Sequence, residues 1–303
     1  GIKIADILTK LKKGTVPTKA IEHSIPDWLA ETLEKELGAK WEKEMISLNE
    51  QAPTVLRANS LRTTTKELIS DLSDENVVSY PIRNYPDAVQ LEEKKNVFLT
   101  TAFKEGLFEV QDASSQKIGY FLDVKEGQRV VDACAGAGGK TLHLAALMQN
   151  KGQIIALDIF EWKLAELKRR AKRAGAHNIE TRVISDNKVI KRLHDKADRL
   201  LIDAPCSGLG VLKRNPDSKW KIDQDFIDRI KKEQQQIIQD YSKMLKVGGK
   251  MVYATCSILP SENNKQVDEF IKNNPNFKFI KDEKVMPSEG YDGFYMALIE
   301  RIS

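Results

Sequence analysis

The amino-acid sequence predicts an α/β protein in which a doubly wound, mostly parallel sheet follows a smaller α+β domain. Three observations lead to this class. From about residue 129 onward, apolar strand-like runs alternate with longer helical patterns, those runs are continuously apolar, and the sequence changes character near residue 106. Continuous apolar strands separated by helices are typical of a parallel sheet that is covered on both faces. Ligands of such sheets bind at the carboxyl ends of the strands.

Three segments are expected along the chain. Residues 1–50 are expected to form an N-terminal helical segment, which is rich in charge from about residue 18. Residues 51–105 are expected to form the small α+β domain, with antiparallel strands at 54–57, 77–80 and 88–91 and a helix at 65–72. Residues 106–303 are expected to form the large domain, with strands at 129–132, 153–158, 181–184, 199–203 and 250–255. Its helices are expected near 140–149, 161–174 and 223–245, the last ending at the stop signal of Gly248 and Gly249.

Composition narrows the class of protein. The chain has 303 residues, 41% hydrophobic and 30% charged, which is the balance of a globular protein and not of a disordered one. No apolar run approaches the roughly 18 residues of a membrane span and no signal-like leader opens the chain. We therefore expect a cytoplasmic protein without a membrane partner, and we expect a monomer. Three cysteines and four histidines without metal-like spacing predict neither a disulfide framework nor a metal site.

A glycine-rich turn, DACAGAGGKT, follows the first strand of the large domain and opens a helix. Its glycines let the backbone approach a ligand closely, and the helix offers free N–H groups. Only one residue separates Gly136 from Gly138, which excludes a P-loop. Asp158, Asp186 and Asp203 stand at or just beyond the ends of the next three strands, where an acidic side chain commonly binds a ribose. A dinucleotide remains possible, but S-adenosylmethionine is favoured because the fourth strand carries a methyltransferase-like loop.

Two cysteines lie at predicted strand ends, Cys206 in the loop DAPCSG and Cys256 in the loop YATCS. Cytosine C5 is a weak nucleophile, and a thiolate that adds to C6 converts C5 into an enamine carbon that attacks a methyl group. Asp203 is placed to act near N3 of the base. Either cysteine alone is as easily a small buried side chain, as we read Cys134, and the residues leave the two thiols interchangeable. Three basic residues near the loop are candidates to lower the pKa of the attacking thiol: Lys140, Lys213 and Arg214.

At these residues the chain resembles the RsmB/NOP2/Sun family of RNA (cytosine-5)-methyltransferases. The matching stretches are GLFEVQDASSQ (106–116), DACAGAGGKT (132–141), DAPCSG (203–208), RNPD (214–217), YATCS (253–257) and DGFY (292–295). They occur in family order and cover roughly residues 55 to 303. The resemblance implies a class I methyltransferase fold, preceded by a small RNA-recognition-like domain, that uses S-adenosylmethionine to methylate C5 of an RNA cytosine.

The resemblance also implies roles for single residues. Cys256 is the covalent nucleophile, Cys206 assists product release, and Asp203 contacts both cofactor and target base. The loop that holds the methionine part of the cofactor comprises Cys134, Ala135, Gly136, Ala137, Gly138, Gly139 and Lys140. Asp158 binds the ribose, Asp186 contacts the adenine, and Lys163 stands where the family usually has Arg. The family loop commonly reads AAPGGK, so the absence of Pro here puts cofactor affinity in question.

RNA is the expected partner, with ribosomal RNA favoured by family habit over transfer RNA. Lys213, Arg214 and Lys219 lie beside the DAPCSG loop and are expected to hold phosphates. The target cytosine must be single-stranded or flipped out, because a stacked base does not expose C5 and C6 to attack. Two competing functions remain, a non-catalytic RNA-binding assembly factor with the same fold and a nucleotide-dependent oxidoreductase. The first predicts a lost nucleophile, and the second predicts an acid–base group in place of paired cysteines.

Overall fold

The computed structural model describes residues 18–303. These residues build a seven-stranded, mostly parallel sheet and a separate four-stranded antiparallel sheet, with helices packed on both. The predicted fold class, a doubly wound sheet with a smaller N-terminal α+β domain, is confirmed.

The helices and strands alternate as the sequence predicts over most of the chain. The N-terminal helices are α1 (Lys19–Glu22), α2 (Asp27–Leu37) and α3 (Trp41–Leu48). The small domain contains β1 (Val55–Ala58), α4 (Thr65–Asp74), β2 (Ser79–Pro81), β3 (Ala88–Leu91), α5 (Thr101–Lys104) and β4 (Phe108–Val110). The large domain begins with α6 (Ala113–Leu122), β5 (Arg129–Asp132), α7 (Gly139–Leu147), β6 (Gln153–Asp158), α8 (Glu161–Ala174) and β7 (Ile179–Val183). It continues with α9 (Asn187–Lys191), β8 (Ala197–Asp203), α10 (Gln224–Tyr241), β9 (Leu245–Thr255), α11 (Asn264–Asn273), β10 (Phe277–Val285) and β11 (Phe294–Arg301).

The large sheet has the strand order β10-β11-β9-β8-β5-β6-β7, and β11 alone runs antiparallel to its neighbours. The order reverses at β5, which pairs with β6 on one side and with β8 on the other. The connections that follow β5 and β8 leave in opposite directions and open a crevice between these strands, and ligands of doubly wound sheets bind there. A ligand site is therefore expected at the carboxyl ends of β5, β6, β8 and β9.

The small sheet has the order β2-β3-β1-β4 and is antiparallel throughout. Its edge strand β4 lies beyond residue 105, with Val110 opposite Leu56 in the register. The small sheet thus takes in a strand from the segment that we assigned to the large domain. Apart from this strand, the predicted domain boundaries at residues 50 and 105 stay a prediction.

The N-terminal helices pack on the large domain. Leu29, Leu33 and Met45 share one apolar cluster with Leu209 and Ile258, which belong to the loops that follow β8 and β9. Glu36 in α2 accepts hydrogen bonds from the amide and the hydroxyl of Ser261, at 2.8 and 2.6 Å. The N-terminal segment therefore supports the loops at the carboxyl edge of the large sheet.

The interpretation of Gly248 and Gly249 as a helix stop is wrong. The helix α10 ends at Tyr241, and both glycines lie inside β9. Gly248 has φ +77°, and the pairing with β8 shifts register here, because Ala197 lies opposite Leu245 whereas Arg199 lies opposite Lys250. A glycine in left-handed conformation suits a bulge as well as a helix end. The strands β4, β10 and β11 were also not predicted.

Gly106, at the entrance to β4, sits where the small domain meets α8. Its φ is +72°, and a Cβ atom here would overlap the backbone carbonyl of Arg173. We expect Gly106→Ala to lower the free energy of unfolding by at least about 2 kcal/mol, since a backbone clash adds to the conformational strain. Gly127→Ala is the control, because Gly127 has φ +82° but open space around its Cα, and should cost only about 1 kcal/mol. Urea denaturation measures both, and equal losses would contradict the close contact.

Candidate functional site

The candidate site lies where β8 and β9 end. The two strands are adjacent and parallel, and Asp203, the last residue of β8, is opposite Ala254 of β9. The loops that carry Cys206 and Cys256 therefore leave the sheet at the same edge and side by side. On the far side of β8, Asp132 ends β5 opposite Leu201, so that the glycine-rich turn opens onto the same edge.

The two thiols lie against each other. The Sγ atoms of Cys206 and Cys256 are 3.2 Å apart, within hydrogen-bond distance for sulfur, and both cysteines are free and half-buried. The hydrogen bond with Cys256 and then burial raise the pKa of Cys206 well above its usual range. The structure thus brings together the two thiols that the sequence placed at neighbouring strand ends.

Lys140, in the first turn of α7, brings a positive charge to this pair. Its Nζ donates a hydrogen bond of 2.6 Å to Oδ2 of Asp203 and lies 5.3 Å from the ring centre of Phe294. Burial lowers the pKa of Lys140, but Asp203 and, less strongly, Cys256 raise it overall above its usual value. Lys140 therefore stays an ammonium group at neutral pH, and it interacts electrostatically with Asp203 and with Cys256.

A carboxylate that the sequence analysis missed connects the two cysteine loops. Glu262 has no exposed surface. Its Oε1 accepts hydrogen bonds from the hydroxyls of Ser207 and Ser257, at 2.5 and 2.6 Å, and its Oε2 accepts from the amide of Ser207 at 2.8 Å. Each serine directly follows one of the cysteines in the chain. The signal in the sequence was a single acidic residue six positions after Cys256, in a segment otherwise free of charge.

The glycine-rich turn meets β6 at its carboxyl end. The amide of Gly136 donates to Oδ2 of Asp158 at 2.9 Å, and the amide of Phe160 donates to Oδ1 at 2.8 Å. Gly136 has φ +55°, and a Cβ on Gly136 or Gly139 would meet nothing within 4 Å. The turn thus borders open space beside a buried carboxylate. Each oxygen of Asp158 keeps a second lone pair for another donor.

Three other residues that the sequence assigned to the cofactor are Cys134 in the glycine-rich turn, Lys163 in α8 and Asp186 at the start of α9. Cys134 is half-buried in the turn, and burial raises its pKa well above the usual range, which agrees with an unreactive thiol. Asp186 is exposed and accepts a hydrogen bond from the amide of Lys188 at 2.7 Å, at the start of α9. The Nζ of Lys163 lies 4.5 Å from the ring centre of Phe160 and 5.7 Å from that of Trp162.

The expectation that Lys213 and Lys219 hold RNA phosphates needs correction. The side chain of Lys213 is 2% exposed, and its Nζ donates to the carbonyl of Pro287 at 3.2 Å. Lys219 is buried, and its Nζ donates to Oδ1 of Asn49 at 3.2 Å. Burial lowers the pKa of Lys219. Both lysines therefore hold the protein's own segments together, because their charges face inward.

Arg214 serves a similar purpose. It pairs with Asp112 at 2.8 Å and with Asp292 at 2.6 Å, and thereby joins the start of α6 to the segment before β11. Burial and then the charge of Asp112 raise the pKa of Asp292 to about 6. Of the three basic residues proposed for thiol activation, Lys140 is the one that lies at the cysteine pair.

No His, Cys, Asp or Glu cluster suited to a metal ion, and no helix able to cross a membrane, occurs within residues 18–303.

Comparison with known proteins identifies the family. Residues 119–299, more than half of the chain, match the family model described as 16S rRNA methyltransferase RsmB/F, and residues 25–98 match its ferredoxin-like domain. The ribosomal RNA small subunit methyltransferase B of Proteus mirabilis is 32% identical over 279 residues, which cover 91% of this chain and 65% of that protein. The chain thus spans a little less than two thirds of the length of this relative.

Solved structures share the fold of this chain. The crystal structure of PH0851 is 29% identical, with a TM-score of 0.89 over 98% of this chain and 72% of that one. The crystal structure of NSun6 from Pyrococcus horikoshii with SFG is 21% identical, has a TM-score of 0.84, and matches 92% of this chain and 98% of that one, which shows a shared fold. On the extent of the family match, this chain belongs to the RsmB/F family of rRNA methyltransferases.

Proposed function

We propose that the protein transfers a methyl group from S-adenosylmethionine to C5 of a cytosine in ribosomal RNA. The observation that carries the proposal is the pair of thiols 3.2 Å apart at the carboxyl ends of β8 and β9. Their neighbour is the Lys140–Asp203 ion pair. Two thiols and one such pair match the needs of C5 chemistry, which are a nucleophile for C6 and groups that stabilise charge on the ring.

The residues of the crevice fit S-adenosylmethionine. The glycine-rich turn borders open space, and Asp158 beside it has lone pairs for ribose hydroxyls. Asp186 lies exposed at the next strand end, where it is placed to contact the adenine. SFG, an analogue of S-adenosylmethionine, is present in the NSun6 structure of the same fold. When bound, the cofactor supplies an electrophilic methyl group on a sulfonium centre.

In the mechanism that we propose, the Sγ of Cys256 adds as a thiolate to C6 of the cytosine. The ammonium of Lys140 favours this thiolate. Asp203 accepts a hydrogen bond from Lys140 and, when it takes up the proton that the thiol gives up, donates a hydrogen bond to N3, where negative charge develops on the ring. The electron pair of the C5–C6 bond is then available at C5, which would take the methyl group in line while the electron pair of the broken S–CH3 bond stays on the sulfur of the cofactor.

Release of the product reverses the addition. A water molecule takes the C5 proton, the C5–C6 double bond re-forms, and the C6–Sγ bond breaks with its electron pair on Cys256. The thiol of Cys206, 3.2 Å from that sulfur, is placed to donate a hydrogen bond to the departing thiolate. This arrangement supports the roles that the family resemblance gives to the two cysteines.

Cys256→Ala should abolish methyl transfer, with a loss of at least about 1000-fold, because the C6 adduct cannot form. Cofactor binding should stay within about twofold of the wild-type value, since Cys256 is not part of the glycine-rich turn. Transfer of labelled methyl groups to RNA and isothermal titration with S-adenosylmethionine measure the two effects. Substantial residual methylation would overturn the assignment of Cys256 as nucleophile.

Cys206→Ala should trap a covalent complex between protein and RNA, because the adduct forms but its sulfur leaves slowly. The complex should appear as a band of reduced mobility on a denaturing gel in the presence of cofactor. The double variant Cys206→Ala/Cys256→Ala is the control and should give no such band. If the band appears instead with Cys256→Ala alone, the two cysteines have exchanged roles.

The substrate can be identified in cells. Bisulfite sequencing of total RNA from a strain that lacks the gene should show that one cytosine of small-subunit ribosomal RNA has lost its methyl group, as the names of the relatives suggest. Reintroduction of the wild-type gene should restore the signal, and the Cys256→Ala gene should not. Loss at a transfer RNA position would replace ribosomal RNA as substrate, and no loss at any cytosine would contradict the proposal.

A further inference from the structure

The carboxylate of Glu262 is the shared acceptor of the loops that carry the two cysteines. It accepts three hydrogen bonds from the residues that follow the cysteines, two from Ser207 and one from Ser257. The two serine hydroxyls also lie 3.2 Å apart. One buried anion therefore fixes the distance between the two loops, because movement of either loop would leave a buried acceptor or donor without its partner.

Glu262 is itself held from other sides. Gln234 of α10 donates from Nε2 to Oε2 of Glu262 at 3.0 Å and to the carbonyl of Pro205 at 2.9 Å. The hydroxyl of Tyr253 donates to the backbone carbonyl of Glu262 at 2.9 Å. These contacts leave the carboxylate little freedom to turn away from the serines. The four donors that this carboxylate meets are all neutral groups, two hydroxyls, one backbone amide and one side-chain amide.

Charge is distributed unequally around the two thiols. The titratable groups that raise the pKa of Cys206 include Cys256 and Glu262. Cys256 interacts in addition with the ammonium of Lys140. A nearby anion disfavours a thiolate, and a nearby cation favours one. The protein thus separates two chemically identical groups by what lies next to each of them.

We propose that Glu262 is a positioning residue that holds both thiols at hydrogen-bond distance and keeps Cys206 in the thiol form, as the donor toward the sulfur of Cys256. This inference rests on the proposed function. In product release, the hydrogen bond from Cys206 stabilises the negative charge that returns to Cys256 as the C6–Sγ bond breaks. No proton has to pass between the two sulfurs, since the C5 proton goes to water.

Glu262→Gln tests the inference, because it preserves shape but removes the charge and one of the two acceptor oxygens. Glu44→Gln is the matched control. Glu44 is also buried, and it accepts hydrogen bonds from the amide and the hydroxyl of Ser288, at 2.9 and 2.8 Å, without contact to either cysteine. A loss of activity that reflects only the burial of an amide in place of a carboxylate should appear in both variants.

The decisive measurement is the pH dependence of alkylation of Cys206 by iodoacetamide, followed by peptide mass spectrometry. It is made in a Cys256→Ser background, so that alkylation of Cys256 does not block its neighbour. Glu262→Gln should move the profile of Cys206 toward lower pH by about one unit, which is about a tenfold faster reaction near pH 8. The sign follows because removal of an anion makes the thiolate easier to form. Glu44→Gln should leave the profile unchanged.

Methyl transfer gives the second readout. With Cys256 in place, Glu262→Gln should lower kcat about 10- to 100-fold and leave KM for S-adenosylmethionine within about twofold, since the thiols and not the cofactor turn lose their support. Glu262→Asp should restore part of kcat, because it returns the charge. An unchanged alkylation profile, or full activity of folded Glu262→Gln, would overturn the inference.

The inference can still be tested in two further cases. If Glu262→Gln does not fold, Ser207→Ala and Ser257→Ala remove the hydroxyl contacts while the carboxylate stays, and wild-type kcat in both would overturn the positioning role. If the wild-type protein methylates no RNA, the proposed function fails. The alkylation profiles still decide the inference about Glu262, since they require neither RNA nor cofactor.

Discussion

The parallel pairing of β8 with β9 is the constraint on which the candidate site depends. Its register sets Asp203 opposite Ala254, and the loops that follow must begin at the same height of the sheet. Fifty residues of chain separate Cys206 from Cys256, yet the backbone ladder brings their sulfurs into contact. The hydrogen bonds of the sheet form regardless of the side chains that the loops carry. Bringing the two thiols together therefore costs little additional conformational entropy.

Buried charge determines how the two thiols differ. Lys140 and Asp203 neutralise each other at 2.6 Å, which makes a cation tolerable so close to the core. Glu262 meets hydrogen-bond donors in place of a cation, and its charge acts on Cys206. The charge of Lys140 interacts with Cys256. Two chemically identical groups therefore have different electrostatic surroundings.

The sequence predicted those features that are encoded locally. The strand bounds 88–91, 129–132 and 153–158 agree with the structure. In the last two, an apolar run that ends in Asp is a local signal. Features that depend on distant partners were not predicted. Glu262 is a single acidic residue until Ser207 approaches it. Lys213 and Lys219 resemble solvent-facing cations until Pro287 and the segment that follows the N-terminal helices meet them. The local sequence around a loop residue does not show which distant segment will pack against it.

The contact between the N-terminal helices and the loops after β8 and β9 limits how this protein can be divided. Glu36 binds the segment that contains Glu262 through Ser261, Asn49 receives Lys219, and the helices share an apolar cluster with Leu209 and Ile258. A fragment cut at the start of the large domain would keep every cofactor residue but expose this cluster to water. The N-terminal helices therefore cannot be exchanged alone. A chimera that takes these helices from another protein must also take the residues of the loops after β8 and β9 that contact them.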